Sequence, residues 1–263
     1  MRALDTPIRF AFGRTFREIL LIGQGVVSVG VAMSRGDHSY NVYSYAAVTV
    51  LFALRFFAGR VVYLSLCVGA LALQLSCLML RGVSFADNWP ALLGILVIAL
   101  LLTGPDLVRR FDDEGRGLGL WRNYWRDLSV AQRRHIAWGM HFVGATGGLL
   151  HHTWYNLEES RLPVPTWLYL GVAACSAVGF LYLWGRALAA PAAVVLGGLV
   201  MWKLAPHLDA AWNLVRARPA GEVVPIEVAY SAHYVLTGFV CAAAMVALAL
   251  PWAARWLRLP LSK

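Results

Sequence analysis

Charged side chains are scarce in this chain: Asp, Glu, Lys and Arg make up 14% of its 263 residues, where a soluble domain carries roughly 25%. That shortage excludes an ordinary water-soluble fold. Lysine is nearly missing, so the basic complement of 23 is almost entirely Arg. Paired cysteine spacing is missing too. Cys67, Cys77, Cys175 and Cys241 stand alone inside apolar runs, which excludes a CxxC redox motif and a Cys-rich metal site and leaves them as packing residues. No acidic residue lies in a row with others at mid-run, which argues against a proton or ion pathway. Phosphate-cradling glycine loops, HExxH and a Ser-centred nucleophile motif are absent as well.

What is present is apolar length. Of the residues, 59% are hydrophobic and the mean hydropathy is +0.61. Crossing a bilayer takes about 20 residues of helix, and runs near that length recur at 15–33, 42–59, 61–80, 89–104, 135–154, 165–185, 188–207 and 228–252. They do not alternate as transmembrane strands would, so the expectation is an all-α, polytopic helix bundle of about eight spans. The fourth run is short, and the count becomes seven if it is re-entrant. With the N- and C-termini inside, seventeen of the 23 basic residues fall on the inner side, as the positive-inside rule expects. The net charge of +9 is then explained by anionic phospholipid at the inner face, and no nucleic acid is expected.

The chain divides into a four-span region, 1–104, an inner-face connector, 105–134, and a second four-span bundle, 135–263. Residues 1–17 hold four Arg and no Lys, which fits an amphipathic targeting segment or a surface-lying helix and favours the mitochondrial inner membrane over a bacterial one. In the connector, Leu120, Trp121, Tyr124, Trp125 and Leu128 recur at helical spacing beside Arg122 and Arg126. That pattern predicts an interfacial helix anchored at the headgroups. Glu18 is expected to pair locally with Arg14 or Arg17, and Arg55 to snorkel to the inner interface. Gly144, Gly147, Gly148, Gly197 and Gly198 mark spans that pack closely on other helices.

Histidines supply the candidate chemistry. His141 and His152 are eleven residues apart, hence about 20° apart in azimuth on one helix, and His233 lies on the last span. Stacked helix histidines of this kind ligate haem b in membrane cytochromes, although a second partner ligand is missing; the other reading makes them hydrogen-bonded or interfacial helix contacts. An acyl-transfer reading would use a buried His as general base with Asn123 or Asp127, as in membrane-bound O-acyltransferases, but those groups fall on opposite membrane faces.

Three segments resemble subunit III of the haem-copper terminal oxidases, best known from cytochrome c oxidase. Tyr124-Trp125-Arg126-Asp127 resembles that family's WWRD segment. Gly139-Met140 opens the next span as a Gly-Met pair does there. Glu227 to Phe239, EVAYSAHYVLTGF, is similar to the segment that opens the family's sixth helix. The resemblance covers about residues 120–257. It departs at Gly144–Gly148, where the family carries a buried Glu, and at Val240-Cys241-Ala242, where the family is His-rich; two extra spans precede it.

The resemblance implies a non-catalytic subunit of a respiratory complex with no cofactor of its own, bound to other membrane subunits and to phospholipid. Trp121, Arg122, Tyr124, Trp125 and Arg126 would then anchor the connector, and Thr237 and Gly238 would lie in a close helix contact.

Overall fold

Apolar runs of this length leave the backbone only hydrogen bonds within the segment, and helices result. The computed structural model describes residues 2–6, 13–34, 40–81, 85–118, 122–159, 161–216 and 226–258. In chain order its α-helices are α1 (Phe16–Ser34), α2 (Tyr40–Ala53), α3 (Gly59–Arg81), α4 (Phe85–Leu101), α5 (Pro105–Val108), α6 (Val130–Glu159), α7 (Thr166–Leu183), α8 (Ala189–Leu204), α9 (Leu208–Arg216) and α10 (Ile226–Arg258). A π-helical turn, Arg109–Asp113, continues α5, and a 3-10 turn spans Tyr124–Asp127. No strand forms among the described residues, and an isolated bridge pairs Phe56 with Arg116. The fold is all-α.

Four helical stretches are long and apolar enough to cross a membrane: Phe16–Ser34, Thr166–Leu183, Ala189–Asn213 and Ala232–Arg255. A fifth arises if Trp89–Leu101 and Pro105–Asp113, which meet at 64°, form one bent span. The chain is therefore an integral membrane protein with four to five candidate spans among the described residues.

Eight do not emerge from length and composition, for identifiable reasons. The fourteen residues of α2 reach about 21 Å at 1.5 Å each, against a core of about 30 Å. Helix α6 is long, but Gln132, Arg133, Arg134 and four histidines dilute its apolar character. The break after α4 has a local cause. Gly104 is extended (ψ 139) before Pro105, because proline disfavours helical geometry in the residue before it and supplies no N–H.

By packing, the chain forms two units, residues 1–67 with 94–129 and residues 68–93 with 130–263. The core of the first gathers Leu21, Val48, Phe52, Tyr63, Cys67, Leu102, Leu107 and Phe111. Phe52 stacks on Phe111 at 4.4 Å and meets Tyr63 edge-on at 5.6 Å. The connector packs into this unit. Phe57 N–H donates to Arg116 O (3.0 Å) and Arg116 N–H to Arg55 O (2.8 Å). A side chain at Gly115 would strike the Phe111 carbonyl and the Phe57 backbone.

Of the interfacial helix expected from Leu120 to Leu128, residues 120 and 121 lie outside the described residues, and 122–128 form one 3-10 turn, Tyr124–Asp127, instead of an α-helix. Asn123 explains the difference. Its Oδ1 accepts from Trp125 N–H (3.1 Å) and its Nδ2 donates to Gly115 O (2.9 Å), bonds that compete with helix formation.

In the second unit α6 lies against α7 and α10, and α8 against α10. Small residues set these approaches. A Cβ on Gly197 would lie 3.0 Å from the Ala242 carbonyl oxygen and 2.5 Å from Val246 Cγ2, and one on Gly147 would lie 2.9 Å from Cys175 Cβ. Gly139 leaves room for the ring of Tyr182. At Gly238 an added Cβ would meet Leu204 Cδ1 at 3.4 Å, an ordinary contact. The tight backbone approach on this face thus belongs to Gly197, not to the expected Gly238. Thr237 is half-buried beside it.

Candidate functional site

In the second unit two of the three candidate haem ligands contact one tyrosine ring. His152 of α6 stacks parallel to the Tyr234 ring (6.0 Å, 13°), and His233 of α10, 0% exposed, contacts the same ring at 4.2 Å. His151 lies 6.0 Å from His152 and 5.4 Å from the Trp154 ring. His141, 4% exposed, instead meets Trp138 edge-on at 5.6 Å. Eleven residues of helix put it about 16 Å along α6 from His152. The arrangement is therefore a His-Tyr-His cluster at one end of α6 and α10, with the third histidine apart. No group of three His, Cys, Asp or Glu arranged to hold a metal is found among the described residues.

His135, absent from the sequence-derived candidates, stacks on Trp252 at 4.5 Å and meets Tyr182 edge-on at 5.6 Å. Arg255 covers the same Trp252 ring at 5.2 Å. Sequence reading missed both aromatic partners, because helix periodicity relates residues within one segment and not the neighbour across the interface.

The first unit holds a network of ion pairs. Glu18, 0% exposed, accepts from Arg55 Nε (2.8 Å) and Nη2 (2.9 Å) and from Thr15 N–H (2.7 Å). The local pairing expected for Glu18, and the snorkelling expected for Arg55, are both replaced by this contact across 37 residues. Arg55 can make it because the α2–α3 turn places it at φ 52. Arg17, 2% exposed, turns instead to Asp5: Nη2 donates to Oδ2 at 3.0 Å, and Nε lies 3.0 Å from Oδ1 without hydrogen-bond alignment. Gly104 makes room for that guanidinium, since a Cβ there would overlap Arg17 Nη1. Arg60 forks onto Asp112 at 3.1 and 2.7 Å.

The candidate anchors of the connector divide. Trp121 lies outside the described residues. Arg122 is exposed. Trp125 is 0% exposed, 6.0 Å from the Phe57 ring, so its indole is spent on the protein interior and not on headgroups. Tyr124 is half-buried, edge-on to Phe57 at 5.3 Å, and burial pushes its phenol up to about 12. Arg126 is exposed and donates from Nε to Asp113 O. Asn123, the acyl-transfer candidate, is committed to its turn.

Comparison with models of known families, with curated proteins and with solved structures found no match.

Proposed function

We propose that the chain is a non-catalytic integral membrane subunit of a respiratory-chain complex, a divergent subunit III-like component of a terminal oxidase. Its work is assembly, stability and lipid contact, in a mitochondrial inner membrane in preference to a bacterial one. One observation carries this reading. The second unit turns small residues inward, at Gly139, Gly147 and Gly197, and large apolar ones outward, at Leu170, Val195, Leu199, Trp202, Val240 and Leu250. Helices packed in this way bury little chemistry and present broad apolar faces, which fit lipid or the helices of other subunits.

All eight apolar runs cross in this reading, with the N-terminus inside. Cation–aromatic pairs support the placement of their ends. Arg186 over Trp184 (4.8 Å) and Arg255 over Trp252 (5.2 Å) stand at the inner ends of α7 and α10, and Lys203 over Trp202 (4.5 Å) at the outer end of α8. Trp favours headgroup level, and long cationic side chains reach it by snorkelling.

The test is affinity purification of the tagged chain from its own membrane in mild detergent, with the co-purifying chains identified. Stoichiometric haem-copper oxidase subunits are expected. Purification of this chain alone would overturn the reading.

A second reading, a b-type cytochrome subunit, is favoured by the approach of His152 and His233 to one ring. It predicts a haem b spectrum that His152→Ala and His233→Ala each abolish.

A further inference from the structure

The chemistry left unused lies in the first unit, where the residues before α1, the α2–α3 turn and the connector converge. Gly13 sits at φ 71, a conformation that side-chain-bearing residues rarely adopt. Its carbonyl accepts from Arg55 Nη2 (3.0 Å) and from Arg110 Nη1 (3.3 Å). Arg14 follows in the chain, its Nη2 donating to Ala53 O. Arg116 is held beside them by its backbone bond to Arg55 O (2.8 Å).

Arg55 and Arg110 thus meet at the Gly13 carbonyl, with Arg14 and Arg116 close by, and the one carboxylate among them, Glu18, is already occupied by Arg55 and Thr15. Burial pulls the Arg14 guanidinium below its ordinary value; Glu18 opposes this, while Arg55 and Arg116 add to it. Two nitrogens, Arg14 Nη1 and Arg110 Nε, are buried and have no hydrogen-bond partner among the described residues. Such donors are costly unless an acceptor meets them. Arg14, Arg55 and Arg110 are half-buried and Arg116 is exposed, so other parts of these side chains meet solvent although the two nitrogens do not.

We propose that this cluster binds a phosphate group, with Arg14, Arg110 and Arg116 as its donors and Arg55 tying the cradle to Glu18. Phosphate fits because it combines negative charge with several acceptor oxygens, and planar guanidinium forks match that geometry in pairs. The same chemistry is offered by the headgroup of an anionic phospholipid and by free inorganic phosphate. The proposal is independent of the assembly reading, and it lies outside residues 120–257.

The test uses the full chain and two probes. In neutral detergent, the midpoint of thermal unfolding is followed against inorganic phosphate, with chloride at matched ionic strength as reference. In nanodiscs containing equal phosphatidylcholine and phosphatidylglycerol, the lipid retained after extraction is measured by native mass spectrometry. The wild-type chain should respond to phosphate, retain phosphatidylglycerol selectively, or do both. Arg110→Gln and Arg116→Gln should each weaken that response about 10-fold, the effect of losing one charge-assisted hydrogen bond. Arg134→Gln, which removes the same charge from an exposed position on α6, should leave it unchanged. Retention of lipid without a response to phosphate assigns the headgroup as the source, and the converse assigns the free ion. If Arg110→Gln does not fold, the exposed Arg116→Gln decides. A wild type that responds in neither arm would overturn the proposal, and so would an equal loss in Arg134→Gln.

Discussion

Single residues in the first unit show how charge is accommodated in an apolar chain. Glu18 is fully buried and tolerable only because Arg55 forks onto it and Thr15 N–H caps it. Removing one partner of a buried pair leaves an uncompensated charge. Arg55→Met should therefore lower stability by about 3 kcal/mol, read as a fall in the denaturation midpoint, and Glu18→Met combined with Arg55→Met should recover much of the loss.

Tyr124 gives a pH dependence. Its phenol is neutral in the fold and raised to about 12, against about 10 in an unfolded chain. The unfolded state ionises first, so this contribution is complete below pH 10 and is lost as pH rises toward 12. Tyr124→Phe should flatten that part of the stability profile between pH 10 and 12. Identical profiles for the two proteins would show that the phenol is not buried as described.

The sequence announced that residues such as Glu18 and Arg55 needed partners, because charges in apolar runs always do. It did not name the partners, since the Glu18–Arg55 contact depends on the left-handed turn at Arg55 and not on helical spacing.

Elements were more legible than contacts. The apolar runs mark where the long helices lie, and Pro105 marks the break after α4. The 3-10 turn is hidden in the sequence because Tyr124, Trp125 and Leu128 have helical spacing, yet Asn123 diverts the backbone there. Neither glycine content nor the resemblance distinguishes a tight helix approach from a loose one.

At Gly197 a backbone carbonyl lies in the way, whereas at Gly238 only the end of a leucine does. Gly197→Leu should therefore force α8 from α10, lowering stability by at least about 1–3 kcal/mol. Gly238→Ala should be neutral or mildly stabilising, since alanine gains about 1 kcal/mol over glycine within a helix. Thermal midpoints of both variants in detergent check the pair. The ranking of helix contacts fails if Gly238→Ala is the more damaging.

For the molecule as a whole, composition was enough to place it in the membrane, because an all-helical chain with so few charges has no stable alternative in water. Composition did not fix the number of spans. Helix α2 is short and α6 is rich in polar side chains, so their crossing depends on neighbours and on lipid depth. The candidate chemistry was legible only in part. His152 and His233 both contact the Tyr234 ring, while His141 meets Trp138 further along α6.

The proposed role is assembly of a complex by a chain with no redox centre of its own. The most direct measurement is a reduced-minus-oxidised visible spectrum of the tagged protein, taken across preparations that vary in the ratio of this chain to its co-purifying subunits. Haem bands should scale with the oxidase subunits and vanish when those are stripped away. Soret and α-bands that scale with this chain alone would contradict it and assign the haem to His152 and His233.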